Sequence, residues 1–178
     1  MNESRVRAPL RELMGPIVGT IVFFFLAPGT VGFWVPWWIT RWRMGPPLLG
    51  LWVLRPVGAV LALAGLIGLA ESFSRFALHG RGTPAPVMPP KRLVVTGLYR
   101  YVRNPMYVAV LAIIGGQALL LGSRRLLVYA AVVGIAVHLF VLLYEEPVLR
   151  ARFGADYGAY SVAVRRWWPR PRPWRAGS

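Results

Sequence analysis

The chain contains no cysteine. This excludes disulfides, thiolate metal sites and a cysteine nucleophile, and it leaves the redox compartment open. There are only 2 histidines and 6 acidic residues. Neither His79 nor His138 has a second histidine or clustered acid at ligand spacing, so no metal site is expected. With 21 lysines and arginines against those few acids, the net charge is +15. Such a charge raises nucleic acid as a partner, but the arginines lie between long apolar runs and form no continuous basic face. The charge therefore points to a membrane surface and not to nucleic acid.

Apolar residues dominate: they make up 56% of the 178 residues, and the mean hydropathy is +0.51. One domain, residues 1–178, is the natural count. Many of the 16 prolines and 19 glycines lie inside or beside apolar stretches, where membrane helices tolerate them, and the 8 tryptophans fit an interfacial belt. Arg5, Arg7 and Arg11 precede an apolar run, the outline of a signal peptide. The run ends in Ala27-Pro28-Gly29 without a small-x-small cleavage site, so an uncleaved first span is expected.

A bilayer core needs about 20 mostly apolar residues per helix. Four stretches qualify: residues 14–34, 48–70 (with helix continuing to Leu78), 105–121 and 126–144. The expected fold is therefore an all-α integral membrane protein of about four transmembrane helices. Pro28-Gly29 and Arg55-Pro56 interrupt the first two spans. Only Gly122, Ser123, Arg124 and Arg125 separate the last two, which must form an antiparallel hairpin. Four spans put both termini on one side. That side, with the central loop, carries 16 of the basic residues and the other side 4, with Arg55 in or near the second span. The positive-inside rule makes the termini and central loop cytoplasmic, at what is expected to be a bacterial inner membrane. Trp34, Trp37, Trp38 and Trp42 cluster at the opposite interface. The tail Pro169-Arg170-Pro171-Arg172-Pro173 cannot be helical, and anionic headgroups are its expected partner.

Polar residues gather just before the third span and just after the fourth. Gly97 allows a tight turn, and Asn104-Pro105 reads as an N-cap and first helical residue. A helix start of this kind attracts an anion, and Arg103 adds a full charge there. The fourth span ends in Tyr144-Glu145-Glu146-Pro147, and two acids at a helix C-terminus oppose its dipole. Ion pairs with Arg103, Arg150 or Arg152 are one compensation; a cationic ligand is another. A zwitterionic cofactor with an amino acid end and a sulfonium suits an anion-binding helix start facing a carboxylate, with Tyr99 and Tyr107 contacting the cation. Leu149, Phe153, Tyr157 and Tyr160 then recur at helical spacing, interrupted by Gly154, and form an amphipathic interfacial C-terminal helix.

Gly97-x-Tyr99, Arg103-Asn104-Pro105-x-Tyr107, Glu145-Glu146-x-x-Leu149 and Phe153-Gly154-x-x-Tyr157-x-x-Tyr160, in that order, resemble the isoprenylcysteine carboxyl methyltransferase family and its bacterial relatives. Phospholipid N-methyltransferases share parts of the pattern. The resemblance implies an S-adenosylmethionine-dependent membrane methyltransferase acting on a small lipophilic or lipid acceptor, with its cofactor-binding half at about residues 84–169. By position, Lys91, Arg92, Leu93 and Val94 wrap the cofactor and Tyr99 contacts it. Asn104, Pro105, Met106 and Tyr107 hold its amino acid or adenosine part, and Glu145 closes the opposite wall. Arg103 orients the cofactor or an acidic acceptor. His138 or Glu146 takes a proton where the acceptor carries one, His138 lying seven residues before Glu145 on one helix face. Asn104 stands where the family's best-known form has histidine. Val141 stands where its eukaryotic members have a substrate-associated arginine, so prenylcysteine is a poor acceptor. An NADPH-dependent sterol-reductase-like enzyme and a non-catalytic lipid- or partner-binding membrane protein are the competing readings.

Overall fold

A computed structural model describes residues 25–75 and 93–175. Among the described residues every regular element is helical. Only the end of the first expected span falls within them. There a π-helical stretch, Phe25–Trp34, runs into the short helix α1, Val35–Thr40. Pro28 lies inside the π-helical stretch. A proline within a helix lacks its donor and crowds a preceding carbonyl, and here the helix widens instead of ending.

Helix α2, Leu54–Arg75, begins later than its apolar run. Pro46-Pro47 and the turn Leu48–Gly50, with Leu49 and Gly50 both in left-handed conformation, keep the preceding residues out of the helix. Arg55 sits in the first turn, donating to the Gly45 carbonyl at 2.7 Å and stacking on Trp52. Leu78, the proposed limit of this helix, lies outside the described residues. Helix α3, Pro105–Leu121, covers the same residues as the third apolar run. The left-handed Gly122 closes it, and Ser123 opens helix α4, Arg124–Phe140, by accepting from the Leu126 N–H at 3.3 Å.

The chain does not leave the helix at Tyr144. It passes through a π-helical turn, Val141–Glu145, into helix α5, Glu146–Ala163. Pro147, in the first turn of α5, accounts for the wide turn, because its ring excludes the ordinary backbone bond to the residue four before it. The helices expected as the fourth span and as the interfacial segment are thus one continuous rod, bent again at Gly154, whose φ is 49° and ψ −122°.

Helices α2 and α3 approach to backbone contact. A Cβ added to Gly58 would lie 2.6 Å from the Gly116 carbonyl oxygen, and one added to Gly116 only 2.5 Å from the Ala62 nitrogen. Small residues permit such an approach between apolar helices, where dispersion replaces the hydrophobic effect as the driving force. The α3–α4 hairpin is present as expected, with Tyr129, Ala130 and Val133 packed against the Ile113–Ile114 core. Two polar side chains tie the π-helical stretch to this bundle. Gln117 donates to the Gly32 carbonyl at 2.7 Å, and Tyr129 to that of Val31 at 3.0 Å. Trp42 in turn donates to Gln117 at 3.3 Å.

Helix α2 and the rod from Arg124 to Ala163 are long and apolar enough to cross a membrane. Leu63 and Ile67 on α2, and Val128, Val132 and Ile135 on α4, point outward, the surface that lipid would cover. Beyond Val164 the chain folds back as a strap. The Arg103, Arg170 and Trp174 N–H groups pair with the carbonyls of Arg165, Tyr101 and Arg100, each at 2.9 Å. The tail is non-helical, as its prolines require, and is pinned to the loop before α3.

Candidate functional site

The end of α2, the loop 93–104, the start of α3, the π turn and the strap meet at one end of the bundle. Gly97 makes the left-handed turn in the loop, where any side chain would collide with Glu71. Glu71 itself pairs with Arg75 at 2.9 Å and accepts from the Leu98 N–H at 3.5 Å, fastening the loop to α2. From the other side the Tyr160 hydroxyl donates to the Tyr99 carbonyl at 2.7 Å. Tyr157, Tyr160 and Val164 form a small buried core with Leu93, Leu149 and Phe153, so the aromatic face of α5 packs on the loop.

Beside these tethers lies a half-open chamber of about 190 Å³. Leu69 and Phe73 of α2, Met106 and Val110 of α3, Val133 and Val137 of α4, and Ala27, Pro28 and Val31 of the first segment make its apolar walls. Its polar groups are Tyr99, Arg103, Asn104, Tyr107 and Glu145. The Tyr107 hydroxyl donates to Glu145 at 2.9 Å, and no cation pairs with Glu145 among the described residues. Burial pushes the Glu145 carboxyl above its usual range. The Tyr107 bond acts in the opposite direction, and the neighbouring Glu146 charge reinforces the rise.

Glu146, one residue on, turns away from the chamber. It is 5% exposed and pairs with Arg103 at 3.0 Å, with Arg166 through a two-pronged hydrogen bond, and at 4.0 Å with Arg150. Burial alone would raise its pKa, but the Arg166 bond and the charges of Arg103, Arg166 and Arg150 outweigh it and hold the carboxyl below its usual range. Arg103 also donates to the Tyr157 hydroxyl at 3.4 Å, while its buried Nε finds no hydrogen-bond partner among the described residues. Two of the three arginines proposed as partners of the acids, Arg103 and Arg150, do pair with Glu146. Arg152 lies over Phe153 instead. Sequence reading missed Arg166, 20 residues away from Glu146, because only the fold of the strap brings it there.

Of the residues proposed for the site, Tyr99, Arg103, Asn104, Met106, Tyr107 and Glu145 line one chamber. Pro105 starts α3, and Asn104 holds the N-cap position, but its amide donates to the Arg166 carbonyl at 3.3 Å instead of capping the helix. Leu93 and Val94 are not chamber residues. Leu93 faces the opposite side of the loop, toward a wide groove shared with Gly97, Tyr101 and Trp174. Lys91, Arg92 and His79 lie outside the described residues. His138 does not share a face with Glu145: it is exposed, and its Nδ1 accepts from the Trp167 indole at 3.1 Å. The intervening π turn is the reason, since seven residues return to the same face only in an unbroken α-helix.

A family model described as phospholipid methyltransferase matches residues 54–156, from α2 into α5. No curated protein and no solved structure matches.

Proposed function

Since the chain belongs to the phospholipid methyltransferase family, a family of membrane methyltransferases, we propose that it transfers a methyl group from S-adenosylmethionine to a lipophilic or lipid acceptor at the cytoplasmic face of a four-span membrane domain. The observation that carries this reading is Glu145. Its half-buried carboxylate lines a largely apolar chamber, with the neutral Tyr107 hydroxyl as its partner among the described residues, and the guanidinium of Arg103 lines the same chamber. A charge drawn partly out of water is costly unless it is paired, so Glu145 suits a ligand with a positive centre, and Arg103 on the same wall suits a negative end.

The donor set fits that cofactor. Arg103 and Asn104 at the start of α3 suit its carboxylate end, and Glu145 with the rings of Tyr99 and Tyr107 suits its sulfonium. The chamber is smaller than the roughly 300 Å³ of the smallest drug-sized sites and accommodates one end of the molecule. When bound, the cofactor supplies an electrophilic methyl group on sulfur. Methyl transfer by in-line displacement then asks the protein for alignment and a dry environment, not a covalent nucleophile. The apolar walls from α2, α3 and α4 supply the dryness. Glu146 serves as the electrostatic anchor of Arg103, because its oxygens are already engaged by arginines. Where the acceptor loses a proton, Glu145 is the carboxylate placed to receive it.

The test is incubation of membranes containing the full chain with methyl-labelled S-adenosylmethionine, followed by solvent extraction. Label is expected in a lipid-soluble product and is expected to be lost in Glu145→Gln. A wild-type protein that binds the cofactor yet labels nothing extractable contradicts the proposed acceptor class.

A further inference from the structure

A second concavity, about 330 Å³, lies between the end of α4 and the strap, lined by His138, Val162 and Arg103 together with Arg165, Trp167 and Trp168. Arg103 and Arg166 on its wall pair with Glu146 and the Trp167 indole with His138, which leaves two donors for a ligand, Arg165 and the second His138 nitrogen. The Arg165 side chain makes no hydrogen bond or ion pair among the described residues, and only its backbone carbonyl is used, by Arg103. An imidazole whose Nδ1 accepts carries its proton on Nε2, and that nitrogen of His138 has no described partner. The nearby Glu146 carboxylate is already engaged by Arg103 and Arg166.

The apolar half of the concavity is equally unsatisfied. Trp168 is 73% exposed and Val162 90% exposed, and both line the groove. Arg103 and Arg166 on its wall pair with Glu146, just past the end of the apolar run, and two tryptophans line it, the residue type that anchors at the headgroup level of a membrane. From these placements we infer that the groove binds the phosphate of an anionic lipid, with Arg165 and His138 as donors to its oxygens and Trp167 and Trp168 flanking the glycerol and upper chains. A basic pocket at the cytoplasmic membrane edge is the setting in which anionic headgroups are held. Arg103 lines both this groove and the chamber, so the lipid phosphate adds to the field that holds the chamber's arginine.

The site is tested on the full chain in a neutral maltoside detergent, titrated separately with dihexanoyl phosphatidylglycerol, dihexanoylglycerol and inorganic phosphate. Saturable binding of phosphatidylglycerol is expected, at least tenfold tighter than either of the others. Arg165→Gln and Trp168→Ala are each expected to weaken it by fivefold or more while keeping the wild-type melting temperature. Equal affinity for dihexanoylglycerol, measured on the unaltered protein, overturns the phosphate contact. Equal affinity for inorganic phosphate overturns the lipid. Folded variants that bind phosphatidylglycerol like the wild type overturn the assignment to this groove.

Discussion

Glu145 and Glu146 share a peptide bond but have opposite partners. The first faces an apolar chamber and a phenol; the second faces three arginines. Linkage then predicts opposite pH behaviour. The folded pKa of Glu146 is lowered, so its contribution to stability is present above the ordinary glutamate value of about 4.3 and is lost as the pH falls through the lowered value. The folded pKa of Glu145 is raised, so its contribution is present below the ordinary value and is lost as the pH rises through the raised one. Thermal melts in detergent at neutral pH should therefore separate the two. Glu146→Gln strands Arg103 and is expected to cost about 3 kcal/mol, a deficit that shrinks on acidification below about pH 4. Glu145→Gln is expected to raise the melting temperature of the ligand-free protein at neutral pH while weakening ligand binding, the trade common at strained sites. Equal melts for both variants contradict the division of roles. The pair was legible in the sequence as an electrostatic anomaly. Which acid the arginines engage was not, because Arg166 enters through the strap.

At the scale of elements, the apolar runs marked α3 and the hairpin well, since backbone in an apolar medium must satisfy itself within a helix. Three features escaped. The start of α2 moved because the turn at Leu48–Gly50 uses left-handed residues that a run of leucines does not advertise. His138 moved to another face because spacing arguments assume an unbroken period, although Pro147 was a visible reason to doubt one. The strap pairs through backbone groups, and no side-chain pattern encodes that pairing. The α2–α3 contact yields a sharp contrast. Gly116→Ala places a methyl against the backbone of Ala62, whereas a Cβ on Gly115 has a Leu61 methyl at 3.9 Å as its nearest neighbour among the described residues. Gly116→Ala is expected to destabilise by about 1–3 kcal/mol, the range of overpacking, and Gly115→Ala by less than about 0.5 kcal/mol. Melting curves of the two single variants check this; equal losses contradict the backbone contact.

At the scale of the whole molecule, the bundle has one polar, tethered end and one tryptophan-rich end, where Trp34, Trp38 and Trp42 are exposed. The absence of cysteine makes orientation directly testable. Single cysteines at Arg43 or Ser123 are expected to react with an impermeant thiol reagent added outside intact cells. A cysteine at Ser178 is expected to react only after permeabilisation, and the reverse pattern contradicts the proposed topology. Family membership was legible from the order of its motifs, which chain chemistry alone does not dictate, whereas the chamber depends on tertiary contacts between α5, the loop and α2.

The central proposal, that this chamber holds an S-adenosyl cofactor, is tested most directly by calorimetric titration of the full chain in detergent with S-adenosylhomocysteine and, in parallel, NADPH. Saturable binding of S-adenosylhomocysteine alone is predicted, weakened about tenfold or more in Arg103→Ala, the loss of a charge-assisted contact. Binding of NADPH alone, or S-adenosylhomocysteine affinity unchanged in both Arg103→Ala and Glu145→Ala, contradicts it.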